Sequence, residues 1–214
     1  MKMIASVLEL SRQDIKALRI TDPYSLHRMV YSLYDDIRSD AEKQSSVSSG
    51  ILYADQGGDY KSRKILLLAN RQPHTKIDGL YGEVRSKDIP MDFLYHTKYR
   101  FKVIVNSTKR DSKTKKLIAV RGCEAIAEWF MTKAPKSWGF DVIPETLQID
   151  SVNVLQFKAK QDRTITMGQA HVQGVLQVLD LELFTKSFTH GIGRGRSYGC
   201  GLLQIVPLIE NPFN

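Results

Sequence analysis

From Lys98 the sequence alternates with period two: Lys98, Arg100 and Lys102 fall on one side, Tyr99, Phe101, Val103 and Val105 on the other. Successive side chains of a strand point to opposite faces, so this stretch is a half-buried strand with a basic outer face. A loop or hairpin tip over 106–116 and a returning strand over 117–120 follow. Nine basic residues lie between Lys98 and Arg121, against one acid, Asp111.

That imbalance belongs to one half of the chain. Residues 1–97 hold 14 Lys/Arg and 13 Asp/Glu, residues 98–214 hold 17 and 10, so most of the net charge of +8 sits in the second half. A positive field of this kind suits a polyanionic partner. No long helix pairs a basic face with a Trp/Leu face, so nucleic acid is expected rather than a membrane surface. No run approaches 18 apolar residues, and the N-terminal stretch is too short and too soon charged for a signal peptide. Cys123 and Cys200 form no C-x-x-C and have no neighbouring histidine pair, so neither a zinc site nor a disulfide framework is expected, and a reduced, cytoplasmic protein fits. At 214 residues, two domains of about 100 residues are expected, each with its own core.

The most informative helix is the one expected over 23–38. Asp22 can cap it and Pro23 suits its first turn. At about 100° per residue, Leu26, Met29, Val30, Leu33 and Ile37 form one buried stripe. Tyr24, His27, Arg28, Tyr31 and Tyr34 fall on the opposite face, with Tyr24 to His27 at i,i+3 and His27 to Tyr31 at i,i+4. Such a face is either solvated, with one ordinary histidine, or a nucleic-acid or catalytic surface.

Along the rest of the first half, a strand is expected over 3–10, a connecting stretch over 11–20, and a polar Ser-rich flexible loop over 41–50. A hairpin of 51–54 with 64–69 follows, and a short helix near 78–85. In the second half, a helix over 123–133 presents Ile126, Ala127, Phe130 and Met131 and is ended by Pro135. Strands over 140–143, 152–159 and 170–179 follow, the last two joined by a basic turn of Lys158, Lys160 and Arg163. Asp180 caps a further helix, a glycine-rich loop spans 191–201, and 202–208 is a closing strand. Both halves have the order of ferredoxin-like β-α-β units, an α+β fold class.

The glycine-rich loop contains Gly191, Gly193, Gly195, Gly199 and Gly201 with Arg194 and Arg196. It follows a helix and opens a strand, the reverse of a dinucleotide fingerprint, and it has no Gly-Lys-Ser/Thr, so a nucleotide-binding enzyme is disfavoured. It is either a helix C-cap with a tight turn or, through Arg194 and Arg196, a polyphosphate contact. Lys109, Arg110 and the other cations are either solvated faces or, as the nine-to-one asymmetry favours, phosphate contacts that give affinity without sequence information. Asp35 and Asp36 point apart on a helix and make a poor acid/base pair. His74 and His96 fall in loop-like or boundary segments, and His171 and His190 have no Cys, Asp or Glu at ligand spacing, so no metal and no cofactor is expected. Any catalysis then falls to His27 as the best-placed acid or base, with cations stabilising charge.

Three stretches resemble one family, the CRISPR-associated repeat-processing endoribonucleases of the CasE subtype in the RAMP superfamily. Pro23-Tyr24-Ser25-Leu26-His27-Arg28 is similar to that subtype's Pro-Tyr-x-x-His-Arg signature. Phe101 to Arg110, with Asn106 and Lys109-Arg110, resembles its Arg-x-Asn-Pro-x-Lys strand end. Gly191-Ile-Gly193 through Ser197-Tyr198-Gly199-Cys200-Gly201-Leu202-Leu203 resembles its terminal glycine loop. Ser107 stands where the family usually has proline, and Arg196 where lysine is common.

The resemblance implies two tandem ferredoxin-like domains, 1–95 with the catalytic helix and 96–214 with the RNA-binding surface and glycine loop. It implies metal-independent cleavage of CRISPR repeat RNA beside a stem-loop. The 2′-OH attacks the adjacent phosphate, leaving a 2′,3′-cyclic phosphate and a 5′-OH, and the guide RNA hairpin is expected to stay bound. His27 matches the general acid/base and Tyr24 the tyrosine assisting it. Arg28, Arg100, Lys102, Lys109, Arg110, Lys158, Lys160, Arg163, Gly191, Gly193, Arg194 and Arg196 are the expected RNA contacts. Other CRISPR effector-complex subunits are further expected partners; direct contact with DNA is not expected. The alternative is a non-catalytic RNA-binding subunit of the same superfamily.

Overall fold

Two sheets with the same strand order organise the chain. A computed structural model describes residues 2–37, 39 and 49–208, with Met91 described by its backbone alone. The chain separates into two compact units, Met1–Pro90 with Ser197–Gly199, and Met91–Arg196 with Cys200–Asn214.

In the first unit, β1 (Ile4–Ser11) alternates buried and half-buried residues and lies at the centre of the sheet. It pairs antiparallel with β3 (Ser62–Ala69) on one side and β4 (Glu83–Asp88) on the other. β2 (Ile51–Gly58) pairs with β3, giving the order β2-β3-β1-β4. That is the 4-1-3-2 order of a ferredoxin-like sheet. The stretch expected to be a plain connection after β1 holds a six-residue helix, α1 (Arg12–Ala17). Ser11 and Asp14 form a reciprocal capping box there, the Asp14 amide donating to Ser11 Oγ at 3.1 Å and the Ser11 amide to Asp14 Oδ2 at 2.8 Å. The helix expected near 78–85 does not form. Asp78, Gly79 and Gly82 all have positive φ, which breaks a helix, and a turn bridged from Ile77 to Tyr81 leads straight into β4. Ile77 fills the core from that turn.

The principal helix, α2 (Pro23–Ser32), starts as the sequence predicts: the Ser25 amide donates to Asp22 Oδ1 at 2.7 Å, and Ser25 Oγ accepts from the Asp22 amide at 3.0 Å. It stops six residues earlier than expected. The Leu33 carbonyl, freed at the helix end, accepts from the His74 amide at 2.8 Å. Arg71 lies over the Tyr34 ring, 5.4 Å from its centroid, and donates to the Asp35 carbonyl at 3.2 Å. These long-range contacts turn the chain out of the helix. Leu26, Met29, Val30 and Leu33 are buried as expected, but Ile37 is 66% exposed and Tyr34, expected on the outer face, is 5% exposed. Asp35 and Asp36 lie beyond the helix and are exposed. Most of the Ser-rich loop expected over 41–50 lies outside the described residues.

The second unit is built on β5 (Lys98–Val105), which alternates from Lys98 to Val103 as read from the sequence and then buries Ile104 as well as Val105. Its sheet runs β11-β5-β10-β8, again 4-1-3-2, with β8 (Phe140–Val142), β10 (Thr164–Val178) and β11 (Gln204–Pro207). β9 (Gln148–Lys158) forms a long hairpin with β10. A small hairpin, β6 (Thr108–Arg110) with β7 (Leu117–Ala119), projects after β5. Helix α3 (Cys123–Ser137) runs through Pro135 rather than ending before it. Pro135 gives up the one ladder bond it would make four residues back, yet the helix still closes beyond it with the Trp138 amide on the Ala134 carbonyl at 2.9 Å. Helix α4 (Leu181–His190) is capped by Asp180, which accepts from the Leu183 amide at 2.9 Å. The core between sheet and helices is aromatic: Phe101 stacks on Phe130 at 5.6 Å and 1°, and Phe130 meets Trp138 at 5.0 Å.

Candidate functional site

Helix α2 carries Tyr24, His27 and Tyr31 on the side away from its buried stripe, all three half-buried, with Arg28 exposed beside them. The His27 ring is 6.2 Å from that of Tyr24, stacked at 21°, and 4.1 Å from that of Tyr31, tilted by 49°. Ser49 Oγ donates to the Tyr31 hydroxyl oxygen at 3.0 Å, which fixes that ring from outside the helix. Imidazole titrates near neutrality and can both take and give a proton; a phenol at hydrogen-bonding range of a substrate can donate to a developing negative oxygen. The arrangement thus supplies one proton-transfer group held among rings, with Arg28 free to contribute positive charge.

Residues Ser197–Gly199 belong to the same unit. The Tyr53 hydroxyl donates to the Ser197 carbonyl at 2.9 Å. Gly199 lies so close to the Tyr53 ring that a Cβ there would be 3.1 Å from it, at a φ of +81°. Between them, Tyr198 puts its ring 5.7 Å from His27. Sequence reasoning missed Tyr198, Tyr53 and Ser49. Tyr198 stood inside the quoted Ser-Tyr-Gly segment, whereas nothing in the local pattern of Tyr53 or Ser49 signals a part in the site.

The glycine loop has a structural side that the sequence left open. Gly191 ends α4 at φ +77°, and the exposed Arg196 donates through one nitrogen to the His190 carbonyl at 2.7 Å, so Arg196 also closes the helix C-terminus. A Cβ on Gly201 would meet the Ile192 carbonyl oxygen at 2.3 Å. Gly193 has open space around it, and Arg194 is exposed and bridges backbone to backbone with Asn106. Cys200, within the loop, is buried. Loss of hydration pushes its thiol up to about 12, and the Gln169 amide 3.7 Å away opposes this in part, so it is a protonated core group rather than a nucleophile.

The remaining predicted cations form separate clusters of the second unit. Arg100 and Lys102 are exposed on β5. Lys109 and Arg110 stand on the β6–β7 hairpin, with Arg194 lining the same groove. Lys158, Lys160 and Arg163 are exposed at the tip of the β9–β10 hairpin, where Lys158 pairs with Asp162 at 3.6 Å and Gln161 and Asp162 take positive φ. Among the described residues no three of His, Cys, Asp and Glu gather as a metal-ligand set, and no helix is long and apolar enough to cross a membrane. Both cysteines are free.

Solved structures share this fold. A chain described as CRISPR endoribonuclease Cse3 bound to a 19-nucleotide RNA is 21% identical, with a TM-score of 0.79 over 97% of this chain and 100% of the other. The CRISPR-associated protein Cas6e of Escherichia coli K-12 is 16% identical, with a TM-score of 0.61 over 96% and 100%. A chain of a CRISPR RNA-guided surveillance complex is 19% identical, with a TM-score of 0.63 over 97% and 100%. At these identities the likeness establishes the fold. A sequence comparison with curated proteins gives no match. A family model described as CRISPR associated protein matches residues 3–207, nearly the whole length. With that match over both ferredoxin-like sheets, the chain belongs to the CRISPR associated protein family.

Proposed function

We propose that this chain is an endoribonuclease that cleaves CRISPR repeat RNA beside a stem-loop, producing guide RNA. The observation that carries the reading is His27, set on a capped helix among Tyr24, Tyr31 and Tyr198 in a chain of this family. His27 takes the proton of the attacking 2′-OH or delivers one to the departing 5′-oxygen. The P–O5′ bond breaks as the 2′-oxygen bonds to phosphorus, leaving a 2′,3′-cyclic phosphate and a 5′-OH. Tyr24 assists at the same end of the helix, and Arg28 contributes charge. Proton transfer and charge stabilisation by these side chains account for the reaction without a bound metal.

The first unit serves as the catalytic domain and the second as the RNA-binding domain. Lys158, Lys160 and Arg163 follow the RNA stem from the β9–β10 hairpin, and Arg100, Lys102, Lys109, Arg110 and Arg194 add phosphate contacts, with Gly191 and Gly193 shaping the loop. The product hairpin stays bound and is handed on, with the protein, to other subunits of an effector complex. The surveillance-complex chain of the same fold supports that partner class. The setting is the cytoplasm.

The test is incubation of repeat RNA with wild type and His27→Ala in EDTA. Wild type is expected to cleave and the variant to lose about 10²–10⁴-fold in rate while still binding. Unchanged cleavage by the variant removes His27 from the mechanism. Loss of wild-type cleavage in EDTA overturns the metal-free reaction, and RNA binding by a wild type that never cleaves makes the chain the binding subunit.

A further inference from the structure

Helix α3 has two working faces. Ile126, Phe130 and Ala134 enter the core, while Trp129, Lys133 and Lys136 line its flank towards the β6–β7 hairpin. Between that flank and the hairpin lies a groove of about 780 Å³, lined also by Val120, Trp138, Gly193 and Arg194. Five cations line it, Lys109, Arg110, Lys133, Lys136 and Arg194, with Glu128 as the one carboxylate of the lining. Lys133 and Lys136 are i,i+3 neighbours of like charge, an arrangement that costs a helix stability unless an anion lies between them. Trp129 is half-buried, a π-face at the side of a cationic channel.

We propose that this groove binds unpaired RNA, its phosphates following the lysines and arginines and a base resting on Trp129. A positively charged groove with an aromatic ring suits a single strand, whose bases are free to stack; a duplex keeps its base faces inside. The inference rests on the ribonuclease reading for its ligand, since a transcript that carries a stem-loop carries unpaired RNA on either side. The groove is distinct from the β9–β10 tip assigned to the stem, and it gives the flank of the repeat a site of its own.

The chain's two tryptophans, Trp129 and Trp138, both line this groove, so their fluorescence reports on it directly. A short uridine oligomer, which does not pair with itself, is expected to quench the emission, and a blunt RNA hairpin is not. Lys133→Ala with Lys136→Ala is expected to weaken the oligomer about tenfold and to lower the slope of log K against log salt by about 1.4, the share of two phosphates on a single strand. Alanine favours helix, and a Lys133→Gln, Lys136→Gln pair gives an independent version of the same change. No quenching, quenching by the blunt hairpin to the same degree, or quenching unmoved by either pair overturns the proposal. Equal quenching by a polyglutamate peptide also overturns it, making the groove a protein-docking site. Cleavage enters none of these readings, so an active His27→Ala variant would end the catalytic assignment and leave the groove result standing.

Discussion

The rings of His27 and Tyr31 lie one helical turn apart with centroids 4.1 Å from each other, and the Tyr31 hydroxyl is held by Ser49 from outside the helix. One wall of the imidazole's surroundings is therefore fixed at both ends, by α2 through its backbone and by Ser49 through its hydroxyl. Under the proposed mechanism Tyr31 acts as a positioning residue. Tyr31→Leu is expected to slow single-turnover cleavage of a repeat hairpin by about 100-fold, the cost of displacing a catalytic group by roughly 1 Å, while RNA affinity stays near wild type. Tyr31→Phe keeps the ring but loses the Ser49 anchor, so its rate should fall between wild type and Tyr31→Leu with the pH profile unchanged. Full activity in Tyr31→Leu would show that the ring holds nothing in place.

At the tip of the β9–β10 hairpin, Lys158, Lys160 and Arg163 are exposed. Replacing all three by Ala should weaken binding of the RNA stem and flatten its salt dependence, because fewer counterions are released on binding. For contacts to a duplex the slope is expected to fall by roughly 2–3. Filter binding across a salt series measures this, and an unaltered slope would place the tip away from the RNA.

Two glycines of one loop should respond very differently to a methyl group. Gly193 has open space around it, so Gly193→Ala carries only the cost of its positive φ, about 1 kcal/mol. In Gly201→Ala the added Cβ also collides with the Ile192 carbonyl, at 2.3 Å, and the backbone must shift. A loss of about 2–4 kcal/mol is expected there, by analogy with overpacked and strained sites. Urea unfolding of the two variants compares them, and equal losses would mean the loop relaxes freely.

Alkaline pH should destabilise the fold through Cys200. Its thiol, ordinarily near 9.0, is pushed up to about 12 by burial, so above pH 9 the folded chain keeps a proton that the unfolded chain gives up. That contribution is complete below pH 9 and is lost as pH rises towards 12. Tyr34, also raised by burial, acts in the same direction at higher pH. The melting temperature of Cys200→Ala should fall less steeply above pH 9 than that of wild type; parallel curves would remove the thiol as a cause.

What the sequence could and could not show divides by the range of the interactions. β5 was legible because its alternation is local and the sheet it joins respects it. The start of α2 was equally plain, since Asp22, Pro23 and Ser25 act on one turn of backbone. Its end was not, because Leu33, Tyr34 and Asp35 are drawn off by His74 and Arg71, some 40 residues away, and no pattern within the helix records them. The Ser11–Asp14 capping box was readable in principle, but a six-residue helix leaves no apolar stripe to draw attention to it. At the candidate site, Tyr24, His27 and Tyr31 share a face fixed by helical spacing. Tyr198 and Ser49 reach the same cluster from distant segments, where spacing says nothing.

The pairing of the central strands has a consequence for the order of folding. β1 finds its neighbours β3 and β4 by residue 88, but β5 must wait for β10 and β11, whose last residue is Pro207. Pairings that close long loops form slowly, and a chain emerging from the ribosome cannot make them before the later strand exists. The first sheet can therefore assemble while the second is still an unpaired hairpin and helix. Tyr198, whose ring lies 5.7 Å from that of His27, comes after β10 in the chain. The cluster around the imidazole therefore waits for a residue made only after β5, β8 and β10 of the second unit.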